Sequence, residues 1–254
     1  LEPREVVNLT RFRTVPAILV ACSILATSTA HAQGDPISIV DEFSVASGLP
    51  GFALDASGNP VISYEAGDGL RVAHCNDPNC AGGDESIQAL DVDGSEPSSL
   101  VLDANGFPVV AYDAFDGLRL AHCNDPECSG GDESISVVAT HRVDQIALEL
   151  DTTGNPLIAH FEQHGTPPDL TWDLKVAHCN DPDCSGGDES IALIDPEADP
   201  LIGTPLLELD PAGNAIVLYT ATGGLRLLHC DNVDCAGGDE SITKLGIITS
   251  GAIA

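Results

Sequence analysis

The sequence predicts an all-β fold: a β-propeller of four-stranded antiparallel blades. Three observations predict it. The segment Ala-His-Cys-Asn-Asp-Pro-x-Cys occurs at 73–80, 121–128 and 177–184, with a variant at 228–235. Each copy is followed by Gly-Gly-Asp-Glu-Ser-Ile, at 82–87, 130–135, 186–191 and 237–242. The repeated His74, His122, His178 and His229 lie 48, 56 and 51 residues apart, a period long enough for four short strands.

The strands follow in order within each repeat. Strand A ends in Leu-Asp, at Asp55, Asp103, Asp151 and Asp210. A tight turn follows, with Gly at 58, 106, 154 and 213; Asp bonds the turn backbone and Gly supplies a left-handed residue. Strand B is Val61–Tyr64, Val109–Tyr112, Leu157–His160 and Ile216–Tyr219. Asp68-Gly69 and Asp116-Gly117 carry a hairpin signal into strand C, which runs into the first cysteine of each pair. Strand D starts at Ile87, Ile135, Ile191 and Ile242. The blades are expected at roughly 43–91, 92–139, 140–195 and 196–247.

These repeats and Asp-turns resemble secreted bacterial β-propeller repeat proteins, with A–B turns similar to those of NHL-type blades. The resemblance covers residues 37–254 and implies the architecture rather than an activity. The Asp-box of sialidase-like propellers, S-x-D-x-G-x-T-W, is absent.

Arg11 and Arg13, the apolar run Val15–Ala26 and the Ala30-His31-Ala32 site read as a secretory signal peptide over 1–32. A lipoprotein anchor at Cys22 is the lesser alternative. The expected location is extracellular or periplasmic. No apolar run reaches the length of a membrane-spanning helix. The chain carries 9 Lys and Arg against 40 Asp and Glu, a formal charge of −31. That argues against nucleic acid and against anionic membrane surfaces, which both need clustered cations.

Beyond the leader, eight cysteines form four C-x4-C pairs. An even count in a secreted chain points to disulfides. The repeat selects local bridges: Cys75–Cys80, Cys123–Cys128, Cys179–Cys184 and Cys230–Cys235. A metal site from His74, Cys75 and Cys80 is the alternative, with free thiols behind it. Neighbours on a strand point to opposite faces, which weakens the metal reading. No cofactor is expected. Calcium on the Asp84-Glu85 type of loop is a weak possibility, since EF-hand spacing is missing. The repeated Arg71, Arg119, Lys175 and Arg226 read as a ladder of ion pairs, and the repeated histidines as packing or hydrogen-bonding residues.

The repeats differ in two places. His160 to His178 spans 18 residues, whereas Tyr64 to His74 spans 10, so the third B–C loop is eight residues longer. The following D–A connection is three residues longer, by the count from Ile191 to Asp210. B–C and D–A connections share one face of a propeller, and function concentrates on variable loops. The candidate binding residues are therefore Phe161, His164, Trp172 and Asp173 of the long loop, with Glu65 and Asp113 just after the strand-B tyrosines. Trp172 is the only Trp.

The leading function is a non-catalytic extracellular binding module for a glycan or protein ligand. The alternatives are a structural or surface-display repeat protein and, third, a propeller glycosidase using Glu65 and Asp113. No G-x-S-x-G, H-E-x-x-H or P-loop is present. Gly34–Asp41 reads as a strand D placed before the first blade, and Thr249–Ala254 as the entry to a fifth strand A. With no Met in the chain, the expectation is a fragment of a larger propeller, able to self-associate through unpaired blade edges. A four-bladed ring is the rival.

Overall fold

The computed structural model describes residues 40–41, 49–165, 169–200 and 203–246. The leader 1–32, most of the 34–41 lead-in, the 249–254 stub and residues 166–168 of the long loop lie outside the described residues.

The chain forms four antiparallel sheets of four strands, each wound in sequence order. The first holds β1 (Gly51–Leu54), β2 (Pro60–Ala66), β3 (Gly69–His74) and β4 (Ser86–Asp91). The second holds β5 (Gly94–Leu102), β6 (Pro108–Ala114), β7 (Gly117–His122) and β8 (Ser134–Ala139). The third holds β9 (Val143–Leu150), β10 (Pro156–His164), β11 (Thr171–His178) and β12 (Ser190–Ala198). The fourth holds β13 (Leu206–Leu209), β14 (Ala215–Ala221), β15 (Gly224–His229) and β16 (Ser241–Gly246). The third and fourth sheets also touch edge to edge at one pair, Ala198 and Ala221.

Local chemistry sets the strand ends. Asp103 Oδ1 accepts the backbone N–H groups of Asn105 and Phe107, both at 2.8 Å, and Gly106 takes φ +84° to close the β5–β6 turn. Gly117 opens β7 at φ +128°, and a Cβ there would lie 2.1 Å from the Ala139 carbonyl. The turn can therefore press against the end of β8.

Successive sheets pack face on face. Side chains alternate along each strand, so each sheet has a forward face toward the next sheet and a rear face toward the previous one. Both faces are buried, which is why strand B is apolar almost throughout, as in Val109-Val-Ala-Tyr112. In the first seam Val61, Leu70 and Val72 of the first sheet meet Val110 and Tyr112 of the second. In the next, Val109, Ala111, Leu118 and Leu120 meet Ile158 and Ala177. In the last, Leu157, Ala159, Phe161, Leu174 and Val176 meet Val217, Tyr219 and Leu228. The innermost strands β1, β5, β9 and β13 line one opening of about 680 Å³. Sheets stacked radially around their first strands are the blades of a β-propeller.

All four expected disulfides are present: Cys75–Cys80, Cys123–Cys128, Cys179–Cys184 and Cys230–Cys235, each with Cα atoms 5.0 Å apart. The thiols are thereby unavailable to a metal. The second cysteine of each pair sits at φ 46–49°. The Gly-Gly-Asp-Glu segment locks the same loop: Glu85, Glu133 and Glu189 each accept the N–H of the Asn after the first cysteine, at 2.9–3.0 Å.

Two polar ladders stitch the seams. On the cysteine-loop side, His74, His122 and His178 each join their own A–B turn to the next sheet's loop. His178 Nε2 lies 3.1 Å from Asp151, and its Nδ1 lies 2.8 Å from Asp234. His74 and His122 do the same toward Pro126 O at 3.0 Å and Asp183 at 2.9 Å. On the opposite side a carboxylate receives a tyrosine and an arginine from the following sheet. Tyr112 Oη and Arg119 donate to Asp91 at 2.8 and 2.6 Å. Tyr64 and Arg71 donate to Asp41, both at 2.8 Å. Tyr219 donates to Asp195 at 2.7 Å, joined by Arg226.

Candidate functional site

The second-to-third seam breaks this pattern. β8 ends in Ala139 where β4 and β12 carry Asp91 and Asp195, and the third sheet has His160 and Lys175 for Tyr and Arg. The cation needs another acceptor, and β10 supplies it two residues on: Lys175 Nζ donates to Glu162 Oε1 at 2.7 Å. The extra loop residues go into a longer hairpin, with β10 and β11 running on to His164 and Thr171.

That extension builds a polar cluster. Glu162 is fully buried, yet Oε1 also lies 3.2 Å from His164 Nε2 and 3.3 Å from His141 Nδ1. His164 Nε2 is 3.0 Å from Asp173 Oδ2. His141 comes from the β8–β9 connection and lies beside His164, with ring centroids 5.7 Å apart and the rings tilted by 45°. The two imidazoles are the exposed part of the cluster, at 60% and 34% of their side-chain area. Beneath them His160 is wholly buried, and burial depresses its pKa to about 4, so it stays neutral.

Trp172 lies on the other face of the hairpin, because neighbours along a strand alternate. It packs half-buried on the core between the third and fourth sheets. It also lines a cleft of about 390 Å³ with Leu170, Thr171, Pro196, Asp199 and Thr222. The cleft has an aromatic wall and hydroxyl and carboxylate groups at its edges.

Phe161 also points to that face, but it is fully buried against Leu174 and presents no surface to a ligand. Asp113 sits in a separate cavity of about 240 Å³ with Glu96, Arg142 and Asp144. Its Oδ1 accepts the Val143 N–H at 3.3 Å. Burial raises its pKa to about 6, with Arg142 pulling the other way. Glu65 is half-buried, and its backbone N–H lies 3.5 Å from Glu96 Oε1. The six candidates therefore divide among a cluster (His164, Asp173), a cleft (Trp172), a cavity (Asp113, with Glu65 beside Glu96) and the core (Phe161).

Sequence reasoning singled out Lys175 as an ion-pairing cation but missed its partner Glu162, and it missed His141 and Arg142. A signal was present: Ala139 and His160 depart together from the Asp and Tyr that the neighbouring seams pair, as Asp91 with Tyr112 and Asp195 with Tyr219. Among the described residues, no three His, Cys, Asp or Glu side chains converge so as to hold a metal ion. Arg71, Arg119, Lys175 and Arg226 each pair with a carboxylate.

No protein-family model and no curated protein matches the chain. Solved structures similar to it include an endo-arabinase from Bacteroides thetaiotaomicron, 15% identical over 76% of this chain and 81% of that one, TM-score 0.46. A protein of unknown function from Dyadobacter fermentans is 13% identical over 79% and 64%, TM-score 0.48. An endo-1,4-β-xylanase from Bacteroides thetaiotaomicron is 14% identical over 78% and 75%, TM-score 0.41. At these values no residue role passes from those proteins to this one.

Proposed function

We propose that the chain is a secreted, non-catalytic glycan-binding module whose ligand enters the Trp172 cleft. The observation that carries this reading is the cleft itself. A half-buried indole beside Thr171, Thr222 and Asp199 offers an apolar wall for a sugar ring and polar groups for its hydroxyls. The four disulfides support an oxidising, extracellular setting. Among the described residues no helix is long and apolar enough to cross a membrane.

Because Trp172 is the only Trp, its fluorescence reports on this cleft alone. Titration with a panel of neutral and acidic oligosaccharides should shift its emission saturably for at least one member. Trp172→Ala should abolish binding of that member in calorimetry, while His164→Ala should weaken it less. No shift across the panel, or binding that survives Trp172→Ala, overturns the assignment. Hydrolysis of any panel member overturns its non-catalytic part.

A further inference from the structure

The two most exposed large apolar side chains among the described residues stand together. Phe115, at the tip of the β6–β7 hairpin, is 98% exposed, and Val92, in the β4–β5 connection, is 77% exposed. Arg119 joins the two connections: it pairs with Asp116 at 2.9 Å and approaches Asp93 at 3.9 Å. Both apolar residues lie on the face of the B–C and D–A connections, as the Trp172 hairpin does.

Turn chemistry does not ask for the phenyl group. Phe115 opens a two-residue tip in which Gly67 serves the first sheet and Thr222 the fourth, each four residues before its sheet's arginine. A ring left wholly in water gains nothing from folding.

The repeat shows what this place can be. Asp91 and Asp195 each accept a tyrosine and an arginine from the next sheet, so Val92 and Pro196, which follow them, are equivalent. Phe115 and Thr222 are equivalent by their distance from Arg119 and Arg226. Pro196 and Thr222 line the Trp172 cleft. The Val92–Phe115 patch between the first and second sheets is therefore the same place as the cleft between the third and fourth. In the cleft the aromatic ring comes from the hairpin of the earlier sheet, in the patch from that of the later one. At the seam between them Thr140 follows Ala139, and the long hairpin carries the Glu162 cluster instead.

Polar groups rim the patch. The Asp93 and Asp116 side chains are 62% and 46% exposed and can accept hydroxyl groups. With Asp91 they place three carboxylates around one guanidinium, which turns acidic sugars away.

We propose that Phe115 and Val92 form a second glycan subsite that stacks a neutral sugar ring, and that one polysaccharide chain spans it and the Trp172 cleft. This rests on the glycan reading of the cleft. The two seams are two sheets apart and packed sheets lie about 10 Å apart, so the span is roughly 20 Å. An open patch holds a sugar weakly by itself. It gains by effective concentration once the cleft holds the same chain.

The test uses neutral oligosaccharides of glucose, mannose and xylose, each as a disaccharide and as a chain longer than the span. They are titrated into the whole protein and followed by calorimetry and Trp172 emission. Phe115→Ala should weaken the long chain by at least about tenfold. The disaccharide cannot bridge, so its effect on Trp172 emission should follow the wild-type titration. Phe115→Trp keeps a stacking ring and should retain long-chain affinity in calorimetry. The tip is exposed, and far-UV circular dichroism checks that both variants fold. Long chains that bind Phe115→Ala as tightly as wild type, while Trp172→Ala still abolishes binding, overturn the second subsite and leave the cleft standing; Phe115 then falls to a protein partner. A disaccharide response weakened as much as the long-chain one overturns it too, since Phe115 would then act through the cleft. Long chains that bind without moving Trp172 emission overturn the cleft and the span together. No binding to any of these sugars overturns both readings.

Discussion

Single side chains carry the seams, and two of them give opposite signatures. Asp91 accepts from both Tyr112 and Arg119, and it is nearly buried. Asp91→Ala leaves a phenol and a guanidinium without an acceptor and should cost about 2–3 kcal/mol in urea unfolding. Tyr112→Phe in the same background should add less than it does alone, because the two share one network. Asp113 works the other way. Its pKa of about 6 lies above the usual carboxylate value, so its contribution to stability is present in acid and lost as pH rises through about 6. Asp113→Asn should therefore raise the melting temperature at neutral pH and leave it nearly unchanged near pH 4. Equal gains at both pH values would show that burial of the ionised form is not the cause.

At the scale of elements, each sheet is a meander held by two loop devices. A disulfide closing a ring of about six residues is worth roughly 2 kcal/mol through loop entropy. Cys123→Ser with Cys128→Ser should lower stability by about that amount. The loss should exceed that of the first pair, Cys75 and Cys80, because the loop of Cys123 also anchors His74 of the preceding sheet, whereas among the described residues the first loop anchors no histidine of another sheet. The A–B turns depend on a left-handed residue, so Gly106→Ala should cost about 1–2 kcal/mol. The β10–β11 hairpin is the separable element. Replacing Glu162–Asp173 with Ala-Gly-Asp-Gly, as at residues 66–69, restores the length of the first sheet. The transplanted aspartate can pair with Lys175 as Asp68 pairs with Arg71 at 2.8 Å. Folding should persist by circular dichroism and glycan binding should vanish. Retained binding would detach function from the hairpin.

At the scale of the whole molecule, excess negative charge works against compaction. Arg71, Arg119, Lys175 and Arg226 are committed to local ion pairs, and carboxylates far outnumber cations, so long-range repulsion among the carboxylates is left to salt to screen. The melting temperature should climb by several degrees between about 0.02 M and about 0.5 M NaCl, and flatten once the Debye length falls below the spacing of surface charges. A melting temperature indifferent to salt would mean that the carboxylates are neutralised in some other way.

The sequence by itself determined what depends on near neighbours. Strand, turn and disulfide positions repeat every 50 or so residues because turn chemistry, side-chain alternation and a five-residue cysteine spacing are all local. The insertion in the third B–C loop was legible as a length difference, and so was the face on which it falls. Only the tertiary structure decided what that insertion brings together. Glu162 of β10 and His141 of the β8–β9 connection meet although they are far apart in sequence, and no local pattern couples them. The same holds for Phe161: it adjoins a variable loop in sequence, yet strand alternation turns it into the core, while His164 and Trp172 of one hairpin are sent to opposite faces. Burial is decided by which sheet lies against which face.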